Sequence, residues 1–332
     1  TPNVTNGEYT YTASWNVDLD KITGPTTATL NIDYSKLYFG TYPQTKLDET
    51  IDATKISELN ELAGDLPTSE DTKLWTDYNY IIQGNVSSYM YYQDIDYDND
   101  GDYDYRGVYF TEYRPSYYSY TSSKTYSNQN VNRYSTNTIY WFSFDPIEWD
   151  ILEASNGKAL IIANLILDSQ EYYPSSSESS FEHNGGTGYA NNYELSNIRK
   201  WLNDNFYNTA FNDLQKSIIE TTEVDNSGSS VGNSSNKYVC NNTNDKMFLL
   251  SIKEAKTYYT SDKARQCKGT YYAKCQGLYV DNENGNSFWW LRSPDSGISS
   301  LAHYVYTDGD DYNLNAVYVT SNGIRPACYI SL

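Results

Sequence analysis

The 332-residue chain carries 43 acidic and 23 basic residues, and its formal net charge of −20 argues against nucleic acid or an anionic membrane surface as a partner. The longest apolar run, residues 159–167, is too short for a membrane span of about 20 residues and predicts a buried strand, so we expect no membrane insertion. Tyrosine alone supplies 37 residues beside many Asn, Ser and Thr, a composition that favours a β-rich extracellular protein.

Residues 1–35 are predicted to form an N-terminal β-hairpin or arm. Residues 9–17 and 28–34 each alternate apolar with polar side chains, as strands with one buried face do, and Gly24-Pro25 between them favours a turn. A lone hairpin is barely stable in water, so its aromatic face is expected to pack on the rest of the chain or on a neighbouring molecule. Residues 9–34 are therefore a candidate contact for a homo-oligomer.

Residues 36–332 are predicted to form one larger domain with long insertions. Its predicted strands lie at residues 37–43, 139–144, 149–152, 159–167 and 247–250, with several more within 288–332. A short helix is predicted over residues 57–63, before Gly64. Ser196 is a predicted helix N-cap, and Ser251 with Glu254 has the spacing of a capping box. Because strands and helices interleave without a βαβ rhythm, we predict the α+β class with antiparallel sheets and a few short helices.

The strongest local chemical pattern is the acidic run at residues 94–104, where Asp occupies every second position. Alternate carboxylates are how a loop gathers oxygen ligands for Ca²⁺, and the candidate ligands are Asp96, Asp98, Asp100 and Asp102. The run is not an EF-hand, because Gly107 stands where a bidentate Glu is required. The alternative interpretation is a solvated hairpin turn with Tyr on the packed face and Asp outside.

Few residues of the sequence suit catalysis or a catalytic metal. His183 and His303 are the only histidines, and neither a Cys-x-x-Cys nor a His-Glu-x-x-His motif occurs. The cysteines are Cys240, Cys267, Cys275 and Cys328, for which one or two disulfides and four free thiols are all compatible with the sequence. We therefore predict that the protein is not an enzyme and holds no certain cofactor, with Ca²⁺ as the candidate.

A set of short motifs runs in a fixed order along most of the chain. They lie at residues 39–45, 105–110, 140–142, 146–149, 196–202, 248–251, 272–277, 289–294 and 323–327. Over roughly residues 37–332 this set resembles a bacterial domain family of unknown function, found in surface proteins of gut and anaerobic bacteria. That family is similar to the C-type-lectin-like branch shared by formylglycine-generating enzymes and the variable proteins of diversity-generating retroelements.

The resemblance implies a C-type-lectin-like fold, here preceded by the N-terminal hairpin. In the variable proteins a diversified surface lies just before a terminal segment like Gly-Ile-Arg-Pro-Ala at residues 323–327, and the fold holds that surface rigid while its side chains change. The resemblance therefore implies non-covalent ligand display. Since the chain begins at Thr1 without Met or a signal peptide, we expect a mature or trimmed product that is secreted or held at a bacterial cell surface.

The segment at residues 295–322 is the predicted binding surface. Tyr supplies rigid contact area there, and Ser and Asn supply adjustable hydrogen bonds, as in other adaptable binding surfaces. The candidate contact residues are Ser299, Ser300, His303, Tyr306, Asp311, Tyr312, Asn313, Asn315 and Tyr318. The flanking residues Trp289, Trp290, Arg292 and Arg325 are predicted to be buried framework. The alternative is that any exposed β-region of so Tyr-rich a chain has this composition.

Three functions follow from these patterns. The first is a non-enzymatic extracellular binding or adhesion module that displays the C-terminal surface to a protein or glycan ligand. The second is a structural subunit of a bacterial surface assembly or filament, joined through its N-terminal hairpin by strand addition. The third is an oxidase of the formylglycine-generating type, which requires a reactive pair of cysteines near the end of the fold.

Overall fold

The computed structural model describes residues 3–5, 8–11, 30–33, 36–68, 70–82, 85–116, 127–174 and 180–332. Within these ranges most strands are short. In chain order they are β1 (Asn3–Thr5), β2 (Glu8–Tyr11), β3 (Leu30–Asp33), β4 (Lys36–Lys46), β5 (Thr76–Asp77), β6 (Tyr80–Ile82), β7 (Asn85–Ser87), β8 (Met90–Ile95), β9 (Tyr105–Phe110), β10 (Tyr140–Ser155), β11 (Lys158–Ala163), β12 (Asp168–Ser169), β13 (Ser180–His183), β14 (Gly186–Tyr189), β15 (Thr222–Val224), β16 (Thr243–Asp245), β17 (Trp289–Pro294), β18 (Leu301–Val305), β19 (Asn313–Ala316), β20 (Gly323–Ile324) and β21 (Ala327–Ser331).

The main sheet is antiparallel throughout and has the strand order β1-β2-β3-β4-β10-β9-β8-β5. The 16-residue strand β10 lies at the centre of this sheet. β4 pairs along one edge of β10, and β9 and then β11 pair along the other. β11 also pairs with the C-terminal strand β21, so distant parts of the chain meet in this sheet.

The N-terminal strands continue the main sheet beyond β4. β2 and β3 are antiparallel, with Tyr9 opposite Ile32, and β3 pairs with β4 through Ile32 opposite Leu37. β1 adds a strand outside β2. The pairing of these two runs agrees with the predicted hairpin, whereas its connection at residues 12–29 lies outside the described residues. The division of the chain at residue 35 stays a prediction.

A second sheet carries the C-terminal segment. Its strand order is β12-β20-β17-β18-β19, which leaves β19 at one end. Its neighbours are antiparallel except for β17 and β20, which meet in a parallel bridge between Trp289 and Gly323. In the described ranges three two-stranded antiparallel sheets, β6-β7, β13-β14 and β15-β16, stand apart from both larger sheets.

The helices are short and lie between the strands. They are α1 (Ala53–Ala63), α2 (Asn128–Val131), α3 (Asn197–Trp201), α4 (Tyr207–Ala210), α5 (Asp213–Ile218), α6 (Ile252–Tyr258), α7 (Asp262–Arg265) and α8 (Tyr271–Cys275), with a 3₁₀ helix at Tyr193–Leu195 and a π-helix at Leu202–Phe206 that joins α3 to α4. The cap at Ser196 and the capping box of Ser251 with Glu254 are both formed, as predicted. No helix in the described ranges has the length and apolar character that crossing a membrane requires.

One continuous core joins the main sheet, the second sheet and the helices. The indoles of Trp149, Trp289 and Trp290 are fully buried in it, and burying aromatic rings of this size contributes most to cores of this kind. A smaller cluster under α1 contains Trp75 and Trp141. The class predicted from sequence, α+β with mostly antiparallel sheets and a few short helices, is confirmed.

The strand predicted over residues 247–250 is wrong. Only Phe248 makes a bridge, to Ala327, while β16 ends two residues before Met247. The other backbone groups of the segment bond elsewhere: the Arg292 guanidinium donates to the Leu249 carbonyl at 2.7 Å, and the Asn203 amide donates to the Met247 carbonyl at 2.9 Å. The Leu250 carbonyl accepts from the backbone N–H of Arg292 at 2.9 Å, so the buried segment satisfies these carbonyls without a continuous ladder.

Candidate functional site

The site predicted at the C-terminal segment is built on β17. Trp289 and Trp290 are both fully buried on this strand. The indole of Trp289 donates to the Arg265 carbonyl at 3.1 Å, and the indole of Trp290 donates to the Gln170 carbonyl at 2.9 Å. Because both polar N–H groups are satisfied, the two rings stabilise the strand without an unpaired donor in the core.

Two buried arginines hold the ends of the segment. Arg292 pairs with Glu254 through both guanidinium nitrogens, one of them at 2.8 Å. Arg325 pairs with Asp150 at 2.7 Å and also donates to the Ala163 carbonyl at 2.6 Å. Buried guanidinium groups are tolerated only when they are paired in this way, so these residues are structural framework, as predicted.

The predicted contact residues differ widely in exposure. Tyr312 is 74% exposed and Tyr306 is 37% exposed, whereas His303 and Asp311 are buried. The remaining candidates are partly buried: Ser299, Ser300, Asn313, Asn315 and Tyr318. Asp311 lies between Arg265 and Lys256, with nitrogen–oxygen distances of 3.4 and 3.5 Å, and so sits beneath the surface rather than on it.

Strand alternation divides these candidates between two faces of the second sheet. Trp290 lies opposite Tyr304, and Tyr304 lies opposite Asn313, so these side chains share one face. His303 lies opposite Leu314 on the other face, where the rings of His303 and Tyr312 are 5.9 Å apart. The sequence segment is thus continuous, but its side chains do not form one surface.

The first face carries a row of aromatic rings that we call the aromatic strip, formed by Tyr279, Phe288, Tyr304 and Tyr306. Tyr279 and Phe288 stack with ring centroids 4.3 Å apart and planes within 1°. Phe288 lies 5.3 Å from Tyr304 and 5.0 Å from Tyr306. Asn313 and Asn315 place their amides on the same face of the neighbouring strand, because they pair with Tyr304 and Ala302. The result is a row of packed rings bordered by amides.

The sequence interpretation missed Tyr279 and Phe288. A signal for Phe288 was present: it stands two residues before Trp290, and β-strand alternation puts the two on one face. Tyr279 lies in an irregular segment whose position only the tertiary structure gives.

The turn that follows the strip is fixed to α7. Gly309 has a φ of +93°, and its carbonyl accepts from the Arg265 guanidinium at 2.8 Å. The amide N–H of Tyr306 donates to the Asp310 carbonyl at 2.8 Å, which closes the turn. The Asn313 amide donates to the Asp310 carboxylate at 3.1 Å. Tyr306 and Asn313 lie at the two ends of this turn, and its hydrogen bonds hold both in place.

The opposite face is less regular. Tyr312 is highly exposed there, Leu314 is 38% exposed, and the Lys256 ammonium lies 5.6 Å from the Tyr312 ring. Burial lowers the pKa of His303, which favours a neutral ring at physiological pH. Leu314 is an apolar residue that sequence reasoning missed, although its position between Asn313 and Asn315 marks it as unusual.

The predicted calcium ligands are only partly brought together. In the turn between β8 and β9, carboxylate oxygens of Asp96, Asp98 and Asp104 lie within 4.8 Å of one another, whereas Asp100 and Asp102 are not in the group. Asp96 accepts the amide of Gly101 at 3.0 Å, and Asp104 accepts the amide of Tyr97 at 2.7 Å. These carboxylates already close the turn by hydrogen bonds, which agrees with the alternative of a hairpin turn; Ca²⁺ stays a prediction.

The four cysteines are free thiols. Burial raises the pKa of Cys267, Cys275 and Cys328, and it raises the pKa of Cys240 to about 11. Because the thiolate is the reactive form, none of the four is set up as a nucleophile at neutral pH.

One serine pattern has the spacing of a hydrolase motif. Residues 228–232 read Gly-Ser-Ser-Val-Gly, but they lie in successive turns and not between a strand and a helix as a nucleophile elbow does. The hydroxyl of Ser230 donates to the Ser227 carbonyl at 2.8 Å. Among the described residues, His183 contacts Asn184 and the Nδ1 of His303 has no partner, so neither histidine activates this serine.

These features define an α+β protein with mostly antiparallel sheets, in which a small C-terminal sheet presents aromatic and amide side chains. The chain belongs to the family described as a domain of unknown function (DUF6273), which matches residues 156–332. This range contains the whole second sheet and the aromatic strip, and the prediction of a family of unknown function is confirmed over it. No curated protein and no solved structure matches the chain.

Proposed function

We propose that the protein is a non-enzymatic binding or adhesion module, secreted or held at a bacterial cell surface, whose aromatic strip contacts a protein or glycan ligand. The observation that carries this proposal is the strip itself, a row of mutually packed rings in which Tyr304 is buried, Tyr279 and Phe288 are partly buried and Tyr306 is partly exposed at the end. Buried thiols of raised pKa and the lack of an activated serine among the described residues support a role without catalysis.

Rigidity is what makes the strip suitable for binding. Tyr rings offer large contact area at little cost in conformational entropy, and adjacent Asn side chains offer hydrogen bonds that adapt to the partner. The rings of the strip restrict each other, and the turn after Tyr306 is braced by Arg265. Pre-organisation of this kind lowers the entropic cost of association.

The finer fold proposal is a C-type-lectin-like domain related to the variable proteins of diversity-generating retroelements. Two features support it. The Gly-Ile-Arg-Pro-Ala segment lies in β20 and at the start of β21, between the two sheets, with Arg325 buried. Of the strands before it, β19 is more exposed than β17, whereas β18 is buried except at Leu301. A buried framework beside a more exposed strand suits a fold in which the flanking segments stay constant while the side chains between them vary.

The test compares one face of the second sheet with the other. The double change Tyr306→Ala and Asn313→Ala removes contacts on the strip face, and Tyr312→Ala removes an exposed ring from the opposite face. On arrays of extracellular proteins and glycans, we expect the double variant to weaken binding by at least about tenfold, as loss of an aromatic anchor does. Tyr312→Ala should bind as the wild type does. Equal binding by all three proteins would refute the strip as the contact surface.

A second candidate function is assembly through the N-terminal strands. The observation that favours it is that β3 pairs with the edge of β4, so the N-terminal segment already adds strands to a sheet. The same addition between two copies would join subunits. Removing residues 1–35 should then abolish polymers seen by analytical ultracentrifugation. A full-length protein that stays monomeric at high concentration would end this proposal and leave the binding module untouched.

A further inference from the structure

A cavity of about 480 Å³ lies away from the aromatic strip, within the size range of small-ligand pockets. Its floor is formed by Tyr42 on β4, Asp168 on β12 and Tyr272 on α8. One wall is formed by Trp201, the last residue of α3, and Asn205 in the π-helix, and the lip by residues 76–80. Insertions of a π-turn into an α-helix occur often at functional sites, and here the insertion is part of the cavity wall.

Two of the charged residues that line the cavity are neutralised by partners inside the protein. Arg106 binds Asp94 through two contacts of 2.6 Å, and Glu171 binds Arg114 at 2.8 Å. Asp168 is buried and accepts from the Tyr42 hydroxyl at 2.8 Å, from the Ser169 amide at 2.6 Å and, at a longer 3.5 Å, from the Gln170 side chain. Among the described residues, no Lys or Arg forms an ion pair with it. Asp168 thus keeps acceptor capacity on the cavity floor.

The rest of the floor is a fixed array of hydroxyl groups. The hydroxyls of Tyr78 and Tyr272 are 2.7 Å apart, the Gln276 amide donates to Tyr78 at 2.9 Å, and Arg106 donates to Tyr272 at 3.2 Å. The ring of Tyr78 stacks on Tyr80 with planes within 1°. These rings and hydroxyls cannot reorient independently, so the surface they offer is preformed.

Amides on the wall complete the set of partners. Asn197 and Asn205 line the cavity, and in the described part of the chain their side chains make no hydrogen bond within the protein. An amide both donates and accepts, as a hydroxyl does. Trp201 and Tyr78 are partly buried rings at the mouth. The cavity therefore offers a carboxylate, amides and hydroxyls together with the faces of two aromatic rings.

We propose that this cavity binds an uncharged, polyhydroxylated ligand of monosaccharide size, with Asp168 accepting from a ligand hydroxyl and Trp201 packing on its C–H face. Since Arg106 and Glu171 are neutralised by their partners, the remaining charges of the lining are Lys200 at the rim and the carboxylates of Asp77 and Asp168, and these mixed signs favour neither a cation nor an anion strongly. Hydroxyl groups match amides and a carboxylate without adding net charge. The site goes beyond the binding surface proposed above and shares none of its residues.

Isothermal titration calorimetry with glucose, galactose, mannose and N-acetylglucosamine tests the proposal, with choline and glucuronate as charged probes. We expect at least one neutral sugar to bind. Asp168→Asn and Trp201→Ala should each weaken it by about tenfold or more, the scale of a lost hydrogen bond to a charged group. The matched control is Tyr271→Ala, an exposed ring next to Tyr272 that does not line the cavity.

Circular dichroism of each variant separates loss of binding from loss of fold. The proposal is overturned if none of the neutral sugars binds, if choline or glucuronate binds in their place, or if folded Asp168→Asn and Trp201→Ala proteins keep wild-type affinity. Tyr306→Ala should leave sugar binding unchanged, so failure of the strip and failure of the cavity give different results.

Discussion

Replacing Asp168 by Asn should stabilise the protein at neutral pH. Burial raises the pKa of the Asp168 carboxyl from 3.8 to about 6, against the opposing effect of its hydrogen bonds from Tyr42 and Ser169. A shift of about two units corresponds to about 3 kcal/mol, at about 1.4 kcal/mol per unit. The amide of Asn has nearly the same shape, accepts from Ser169 and can donate to the Tyr42 oxygen, but it carries no charge to desolvate.

The effect should depend on pH in a defined direction. Because the folded state holds the Asp168 proton more tightly than the unfolded state, this group's contribution to stability is full below pH 4 and is lost as pH rises to about 6. The advantage of Asp168→Asn should therefore be close to zero at pH 4 and about 3 kcal/mol at pH 7.

Urea denaturation at pH 4, 5, 6 and 7 measures the difference in the free energy of unfolding between Asp168→Asn and wild type. Asp204→Asn, an exposed carboxylate on the π-helix, is the control and should show no comparable rise. An advantage that is the same at every pH, or a variant less stable than wild type at pH 7, would refute the account of a desolvated carboxylate.

Two other predictions concern the backbone and the thiols. At Gly309 an added Cβ would lie 1.8 Å from the Asp262 carbonyl oxygen. Gly309→Ala should therefore lower the free energy of unfolding, measured by urea denaturation, by more than about 2 kcal/mol. The control is Gly232→Ala, which has a similar positive φ but open space around it and should cost about 1 kcal/mol. Because all four cysteines are free and mostly buried, a thiol reagent should label the native protein slowly. After unfolding without reductant the same reagent should count four thiols, and a smaller count would reveal a disulfide.

Local signals in the sequence predicted local structure well. The hairpin of β10 and β11 turns at Asn156 and Gly157, which both have positive φ, and an Asn-Gly pair is a typical local signal for such a turn. At Ser196 and Ser251 the serine hydroxyl accepts from the backbone N–H three residues further on, a contact so local that the sequence could indicate it. The start of α1 at Ala53 was missed by four residues, since its first turn is exposed and carries no apolar periodicity.

Non-local pairing could not be predicted in this way. β4 and β10 pair although about 100 residues separate Thr45 from Ser143, and no pattern within either strand specifies the partner. Residues 247–250 look like a strand because they are apolar, but the carbonyls of the segment bond to Arg292 and Asn203. Apolar content shows that a segment is buried, while the geometry of its hydrogen bonds depends on residues far away in sequence.

Composition located the candidate site in the sequence, but it did not show which side chains share a face of the sheet. Tyr306 and Tyr312 look equivalent in sequence, yet the turn at Gly309 separates them and strand alternation sends their rings to different faces. The cavity gave no sequence signal at all, because Tyr42, Asp168 and Tyr272 lie on three elements far apart in the chain.

The tyrosines explain how one chain can hold two preformed surfaces. Many of their hydroxyls are buried and specifically bonded: Tyr42 to Asp168, Tyr172 to the Arg292 carbonyl and Tyr134 to the Tyr271 carbonyl. An aliphatic core tolerates small shifts of its side chains, whereas a buried hydroxyl that loses its partner costs about 1 to 3 kcal/mol. A core built from hydrogen-bonded rings therefore favours one arrangement over its near neighbours, and that arrangement fixes both the aromatic strip and the cavity floor before any ligand arrives.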